Sequence, residues 1–256
     1  MAGVSLYSQS FSNSGMVARR LSETTGSPVL CDQDILARAA DLSDIPETKI
    51  SRLFSPDGTA FNLFTLERKS ALAHIRLALA EQFREGNPIL TGYCAAMLPP
   101  GLPGIVKTAI TASRTYRLGR AKSFHRLSGS QAAEALASDD KQKATWIREL
   151  TGSDEPWRPD LYDILVSMDQ SGPGRAAELI TNRMKKDPLA SLSDTADFFL
   201  ETRVTAALIS RGHDVLVRVA DGRVCLGITR QVLMKSRLEA ELASIVDSIE
   251  KGVPLE

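Results

Sequence analysis

The sequence predicts an α/β fold: five parallel strands with helices on both faces, followed by a small α+β unit. Three observations carry this. Short apolar runs alternate with helical stretches as far as Lys185, the pattern of a parallel sheet built from crossover units. The first run feeds a small-residue loop and then a helix, and other run ends carry Asp32, Gly92 or an arginine series. Beyond a polar break at 186–194, two Val-rich alternating runs flank Asp221-Gly222 and lie between two helices, a hairpin signature.

The first unit of the chain organises the rest. Val4 to Tyr7 is an apolar strand, Ser8 to Gly15 a loop of small polar residues, and Met16 to Thr24 a helix with Val17, Ala18 and Leu21 on one face. Gly26 stops that helix, and Pro28 to Cys31 is a second strand ending at Asp32. Strand, loop, helix and strand make a βαβ unit. Its loop falls at a strand's carboxyl end, where bare N–H groups and the helix dipole suit a phosphate. The same loop would serve equally as a polar turn capping a helix. A G-x-x-x-x-G-K-[ST] loop needs more glycine and a lysine; here Gly15 stands without a following Lys.

A helix is predicted over Gln33 to Ala40, then a polar surface segment from Asp41 to Asn62. Leu72, Ile75, Leu79 and Phe83 mark an amphipathic helix from about Thr65 to Arg84. Pro88 to Thr91 and Ile105 to Thr111 are the third and fourth strands, and Asp163 to Ser167 the fifth. Arg114, Arg117 and Arg120 follow the fourth strand at a spacing that puts them near one helical face. Helices are expected over Ser130 to Leu150 and Gly174 to Lys185. Right-handed crossovers would gather the loop, Asp32, Gly92 and the arginines at the carboxyl ends of the strands, where such folds bind ligands.

The last part reads as helix (Phe199 to Arg211), strand (Asp214 to Ala220), strand (Arg223 to Thr229) and helix (about Gln231 to Glu250). These elements give three expected divisions: a domain over 1–187, a linker over 188–195 and a second domain over 196–256. The second carries no paired carboxylates and no nucleophile beside a base, so it reads as a binding or assembly module.

Composition excludes several classes. A formal net charge of zero offers no bulk field for nucleic acid or an anionic membrane. No apolar run approaches the ~20 residues of a transmembrane helix, and Met1 to Tyr7 lacks a signal peptide's basic and apolar regions, so the cytoplasm is the expected compartment. Cys31, Cys94 and Cys225 are scattered and odd in number, which argues against a disulfide framework. Neither they nor His74, His125 and His213 show metal-ligand spacing, and no metal site is expected.

Four stretches in order resemble the cytidylate kinase-like family of the P-loop nucleoside monophosphate kinase group: Ser8 to Leu21, Gly26 to Ile35, Pro88 to Gly92, and Asp160 to Val166. The resemblance covers about Val4 to Lys185 and implies a P-loop kinase-like fold. It implies phosphoryl transfer from ATP, with Mg²⁺, to a nucleoside monophosphate or other small acceptor. By that resemblance Ser12, Asn13, Ser14, Gly15 and Met16 would hold the nucleotide's phosphates. Asp32 would face Mg²⁺ or the acceptor, and Arg114, Arg117 and Arg120 would be lid arginines for the developing charge. The departures matter. Where the family loop resembles S-R-x-x-G-S-G-G, this chain has Gln9 for Arg, and Ser12 and Ser14 for Gly. Tyr93 replaces an Arg after the third strand, and Asp140 to Lys143 replaces Asp-x-x-Arg. Each lost arginine removes a charge-assisted phosphate contact, so a pseudokinase that senses a nucleotide is the alternative expectation. The second unit resembles a BON domain through Val204, Leu208, Asp221 to Val224, Leu226-Gly227 and Gly252-Val253. Its expected partners are a protein, a phospholipid or a second copy of the chain.

Overall fold

The computed structural model describes residues 2–54, 66–186, 192–228 and 233–255. Its main sheet contains β1 (Gly3–Ser8), β2 (Val29–Leu30), β3 (Ile89–Thr91), β4 (Ile105–Thr111) and β5 (Ile164–Ser167), in spatial order β2-β3-β1-β4-β5. Every neighbouring pair is parallel, with Val4 opposite both Ile89 and Val106. The α/β fold with a five-stranded parallel sheet is therefore as the sequence predicts. The central strands β1 and β4 are buried along nearly their whole length, the polar Ser5, Lys107 and Thr108 included, as expected of a sheet covered on both faces.

Helices α1 (Ser14–Thr25) and α7 (Met168–Lys186) share one core with the sheet through Val4, Leu6, Val17, Leu21, Val106, Ile110, Val166 and Ile180. The other side of β1 carries Ser5, whose hydroxyl donates to Ala95 O at 2.6 Å, and the fully buried Tyr7. Helices α5 (Arg114–His125) and α6 (Gly129–Thr151) pack together through Ala121, Ala132 and Leu136. The span of α7 is broken at Gly172, whose φ of 62° and ψ of 169° are not helical, and the helix predicted from Gly174 is the part beyond the break.

The remaining helices are α2 (Asp32–Asp41), α3 (Glu47–Ile50), α4 (Glu67–Glu85), α8 (Leu192–Ser210) and α9 (Lys235–Ile249), with the hairpin β6 (Leu216–Ala220) and β7 (Arg223–Gly227). The segment read as polar surface holds α3 and a 3-10 turn at Ser51–Phe54, and it buries Ile45, Ile50, Leu53 and Phe54. These four apolar residues stand among charged and small polar ones, so the segment's overall polarity hides them. Its remainder, 55–62, and Thr65 lie outside the described residues. So do 188–191 of the expected linker, Thr229 and Gln231.

The chain divides into two compact units, one of Met1–Asp34, Phe54–Pro56 and Glu85–Leu189, the other of Ile35–Leu53, Asp57–Arg84 and Ala190–Glu256. In the second, α8, the hairpin and α9 enclose Leu200, Val204, Leu208, Val217, Val224, Leu242, Ile245 and Val246. Helix α4 lies against α8 through Ala73, Ala206 and Ile209, and Lys69 pairs with Asp214 at 2.6 Å. Asp221 takes the left-handed conformation that an Asp-Gly turn requires. The strand partners Val217↔Leu226 and Val219↔Val224 follow in register.

Candidate functional site

The first unit assembles its polar side chains where β1, β2, β3 and β4 end. The β1–α1 loop is held at both ends. The N–H of Gln9 donates to Ile110 O at 3.0 Å, and Gln9 Oε1 accepts from Ala112 N at 2.8 Å. Gln9, standing at the family's arginine position, is thus a neutral tie between β1 and the end of β4. Ser8 Oγ donates to Ser14 Oγ at 2.8 Å. The left-handed residues of the loop are Phe11 (φ 56°) and Asn13 (φ 68°), not Ser12 or Ser14. Serine therefore replaces the family's glycines at 12 and 14 without left-handed strain.

Asn13 is the N-cap of α1, yet its side chain makes no capping bond. Its Oδ1 instead accepts from Arg120 Nη2 at 2.7 Å, while the Arg120 guanidinium lies 3.9 Å from the centroid of the Phe124 ring. The first turn of α1 holds no acidic residue. A helix start normally receives a side-chain oxygen; here that oxygen is drawn away to α5. The positive end of the helix dipole is left without a side-chain anion. The Ser12 hydroxyl, in a residue only 1% exposed, has no hydrogen-bond partner among the described residues.

The three arginines separate. Arg114 is exposed in the first turn of α5. Arg117 is buried and makes a two-pronged pair with Asp140 of α6, at 2.7 and 2.8 Å. Arg120 alone reaches the loop. The start of α5 is fixed by its N-cap Ser113, whose N–H and hydroxyl both donate to Asp169, at 2.6 and 2.5 Å. Those bonds hold the Asp169 carboxyl below the usual range.

Asp32 lies at the end of β2 and receives two amides from the chain leaving β3, Tyr93 N at 2.8 Å and Cys94 N at 2.7 Å. Burial pushes its carboxyl above the ordinary value, with those two N–H groups opposing the rise. Gly92 has φ 108°, and a Cβ there would collide with the Asp32 carboxylate, so the glycine is what lets the carboxylate reach both amides. Above Tyr93 stands Lys143 of α6, its Nζ 5.9 Å from the ring centroid and 2.8 Å from Asp139 Oδ2. Burial pulls the Lys143 ammonium below its ordinary value, against the pull of Asp139. The same Asp139 oxygen accepts from Ser10 N in the loop at 3.3 Å.

Aromatic rings complete this flank. Tyr93 stacks on Phe54 at 5.2 Å, Trp146 meets Phe54 edge-on at 5.0 Å, and Tyr7 stacks on Trp157 at 5.3 Å. Trp146 Nε1 donates to Tyr93 O at 3.0 Å. Both tryptophans thus serve in packing, the role aromatic residues most often fill.

Sequence reasoning missed Asp139 and Asp169. The i,i+4 spacing of Asp139 and Lys143 was a signal, obscured because α6 reads as a uniformly polar helix. No cluster of three or more His, Cys, Asp or Glu side chains arranged for a metal occurs among the described residues. No helix among them is long and apolar enough to cross a membrane.

No curated protein matches the chain. An uncharacterized protein from Eubacterium ventriosum ATCC 27560 superposes with a TM-score of 0.56 at 12% identity, covering 73% of this chain and 99% of its own. An unliganded sugar kinase from Janibacter sp. HTCC2649 gives 0.43 at 16% identity, covering 74% of this chain and 96% of its own. At such identities the first likeness concerns the fold alone. The sequence model of the cytidylate kinase-like family matches residues 4–170, which span β1 to the start of α7 and hold the loop, Asp32, Gly92, α5 and α6. The chain belongs to the cytidylate kinase-like family.

Proposed function

We propose that this chain is a kinase-type nucleotide-binding protein that holds the phosphates of ATP on the β1–α1 loop and passes the γ-phosphoryl group to a small acceptor. The observation that supports this best is the α1 N-terminus: Asn13 leaves it without a side-chain cap and turns its oxygen to Arg120. Backbone N–H groups from Ser12 to Met16 and the helix dipole then suit an anionic ligand, and Arg120 brings a cation to a loop that has no lysine.

The residues present fit ATP with Mg²⁺ in a limited way. Mg²⁺ in such sites is held largely by phosphates and water with one or two carboxylates, and Asp32 would supply one. When bound, the ion would neutralise phosphate charge. The chain's own residues hold the phosphates, orient the acceptor and place Arg120 where charge develops; Arg114 would join only through movement of its exposed side chain. Phosphoryl transfer depends mainly on such positioning and charge stabilisation.

A second reading, a pseudokinase that senses a nucleotide, is favoured by the pairing of Arg117 with Asp140 and of Lys143 with Asp139. Those cations are neutralised by carboxylates. In this reading the BON-like second unit, with a protein, phospholipid or second copy as partner, reports the bound state. A coupled assay with ATP, Mg²⁺ and a panel of acceptors separates the two. Turnover in the ~1–100 s⁻¹ range of kinases supports the enzyme; ATP binding with no turnover on any acceptor supports the sensor.

A further inference from the structure

The flank of the site beyond the loop, formed by Asp32, Tyr93 and the facing part of α6, has an unusual charge balance for a kinase that phosphorylates a phosphate monoester. Three carboxylates, Asp32, Asp139 and Asp140, stand with two cations, Arg117 and Lys143. Both cations are committed to a carboxylate: Arg117 by two hydrogen bonds to Asp140, Lys143 by one of 2.8 Å to Asp139. Asp32 accepts its hydrogen bonds from backbone amides, and Lys143 acts on it only through space. At the end of β3 the chain places no cation but Tyr93, half-buried and stacked on Phe54.

A dianionic phosphate entering here would meet a surplus of negative charge and no uncommitted cation on the flank. Freeing one would leave its carboxylate, Asp139 or Asp140, unpaired beside the incoming phosphate and add like-charge repulsion. A hydroxyl group meets the opposite situation, because carboxylates accept hydrogen bonds from hydroxyls. Among the described residues no hydrogen bond reaches Oδ1 of Asp139; its contacts all fall on Oδ2.

We propose that the acceptor of this site is an uncharged hydroxyl compound, of the chemistry shared by a nucleoside and a sugar, and not a nucleoside monophosphate. The proposal rests on the reading of the chain as a kinase-type ATP-binding protein. In the step, the acceptor's hydroxyl oxygen attacks the γ-phosphorus of ATP and forms a new P–O bond. The bond to the bridging oxygen breaks, ADP leaves with that electron pair, and the hydroxyl proton passes to the Asp139 carboxylate. The neutralised cations that favour a pseudokinase follow equally from an acceptor that brings no charge to be neutralised.

The test is calorimetry on the full chain saturated with Mg²⁺ and AMP-PNP, titrated with cytidine, CMP, glucose and glucose 6-phosphate. The expected result is that cytidine binds at least tenfold more tightly than CMP, or glucose at least tenfold more tightly than glucose 6-phosphate. The pair that shows binding tells a nucleoside acceptor from a sugar. Asp139→Asn, checked for folding by its melting curve, should narrow that preference by raising the affinity of the phosphorylated compound relative to its partner. Tighter binding of CMP or glucose 6-phosphate in the wild type overturns the proposal, as does failure of all four to bind while AMP-PNP binds. Failure of AMP-PNP itself to bind removes the ATP-binding reading as well, and so is a distinct outcome.

Discussion

Arg120 of α5 donates to the side-chain oxygen of Asn13 at 2.7 Å, so the cation nearest the β1–α1 loop comes from another helix. The loop itself has no lysine. Replacing Arg120 by Ala should therefore weaken ATP binding tenfold or more, about 1.4 kcal/mol. The melting temperature should change little, because Arg120 is only half-buried and its bond goes to a neutral side-chain oxygen. Calorimetry and a melting curve on the same variant check both halves. Unchanged affinity would remove Arg120 from the site.

Gly92→Ala should destabilise the protein strongly. Its φ of 108° alone costs an L residue about 1–3 kcal/mol, and the added Cβ would also drive the Asp32 carboxylate off Tyr93 N and Cys94 N. Urea unfolding measures the loss. A change below ~0.5 kcal/mol, the size of an ordinary surface substitution, would show that the Asp32 contact is dispensable.

Asp32 also gives a pH signature. Its folded value is raised because burial disfavours the charged form, so the folded state binds the proton more readily than the unfolded state. The stability that this contributes is present below the unfolded value of about 3.9 and is lost as pH rises through the folded value. The stability of the wild type relative to Asp32→Asn should thus decline as pH rises from the ordinary carboxylate range. A flat difference between the two proteins across that window would contradict the assignment.

Asp139→Ala should cost more than a surface substitution, since it leaves the buried Lys143 without its carboxylate. Breaking one side of a buried pair costs about 3–5 kcal/mol, an upper figure here because both side chains keep some solvent contact. The double variant Asp139→Leu with Lys143→Met should recover part of the loss. Additive losses in a double-mutant cycle would show that the two do not interact.

Much of the first unit was legible because its central strands β1 and β4 are buried along nearly their whole length, and because Gly26 ends its helix in a left-handed cap. The positions of the loop, Asp32 and Gly92 at strand ends follow from parallel topology. What could not be read is how α5 and α6 face each other. Arg117 and Asp140 are 23 residues apart, and only helix packing decides that one of three similarly spaced arginines is buried while another reaches Asn13. The role of Phe54 was hidden inside a polar segment. The extent of the second unit was hidden too, since the pairing of Ala73 with Ala206 and Ile209 is long-range.

That long-range pairing bears on whether the C-terminal part stands alone. A fragment of 196–256 keeps the core of Val204, Leu208, Val217, Val224, Leu242, Ile245 and Val246 but uncovers Ala206 and Ile209. It should show mixed helix and strand by circular dichroism and melt below the intact chain. A random-coil spectrum would mean that α4 is part of its fold.

The central claim is that the β1–α1 loop holds a nucleotide's phosphates, and Gly15 tests it most directly. A Cβ at Gly15 meets nothing within 4 Å, so Gly15→Val leaves the packing intact while putting a branched side chain against the phosphate path. Calorimetry of ATP with Mg²⁺ should show binding to the wild type and at least tenfold weaker binding to Gly15→Val, with matching melting curves. Equal affinity in the two proteins, or no binding to the wild type, would contradict the account.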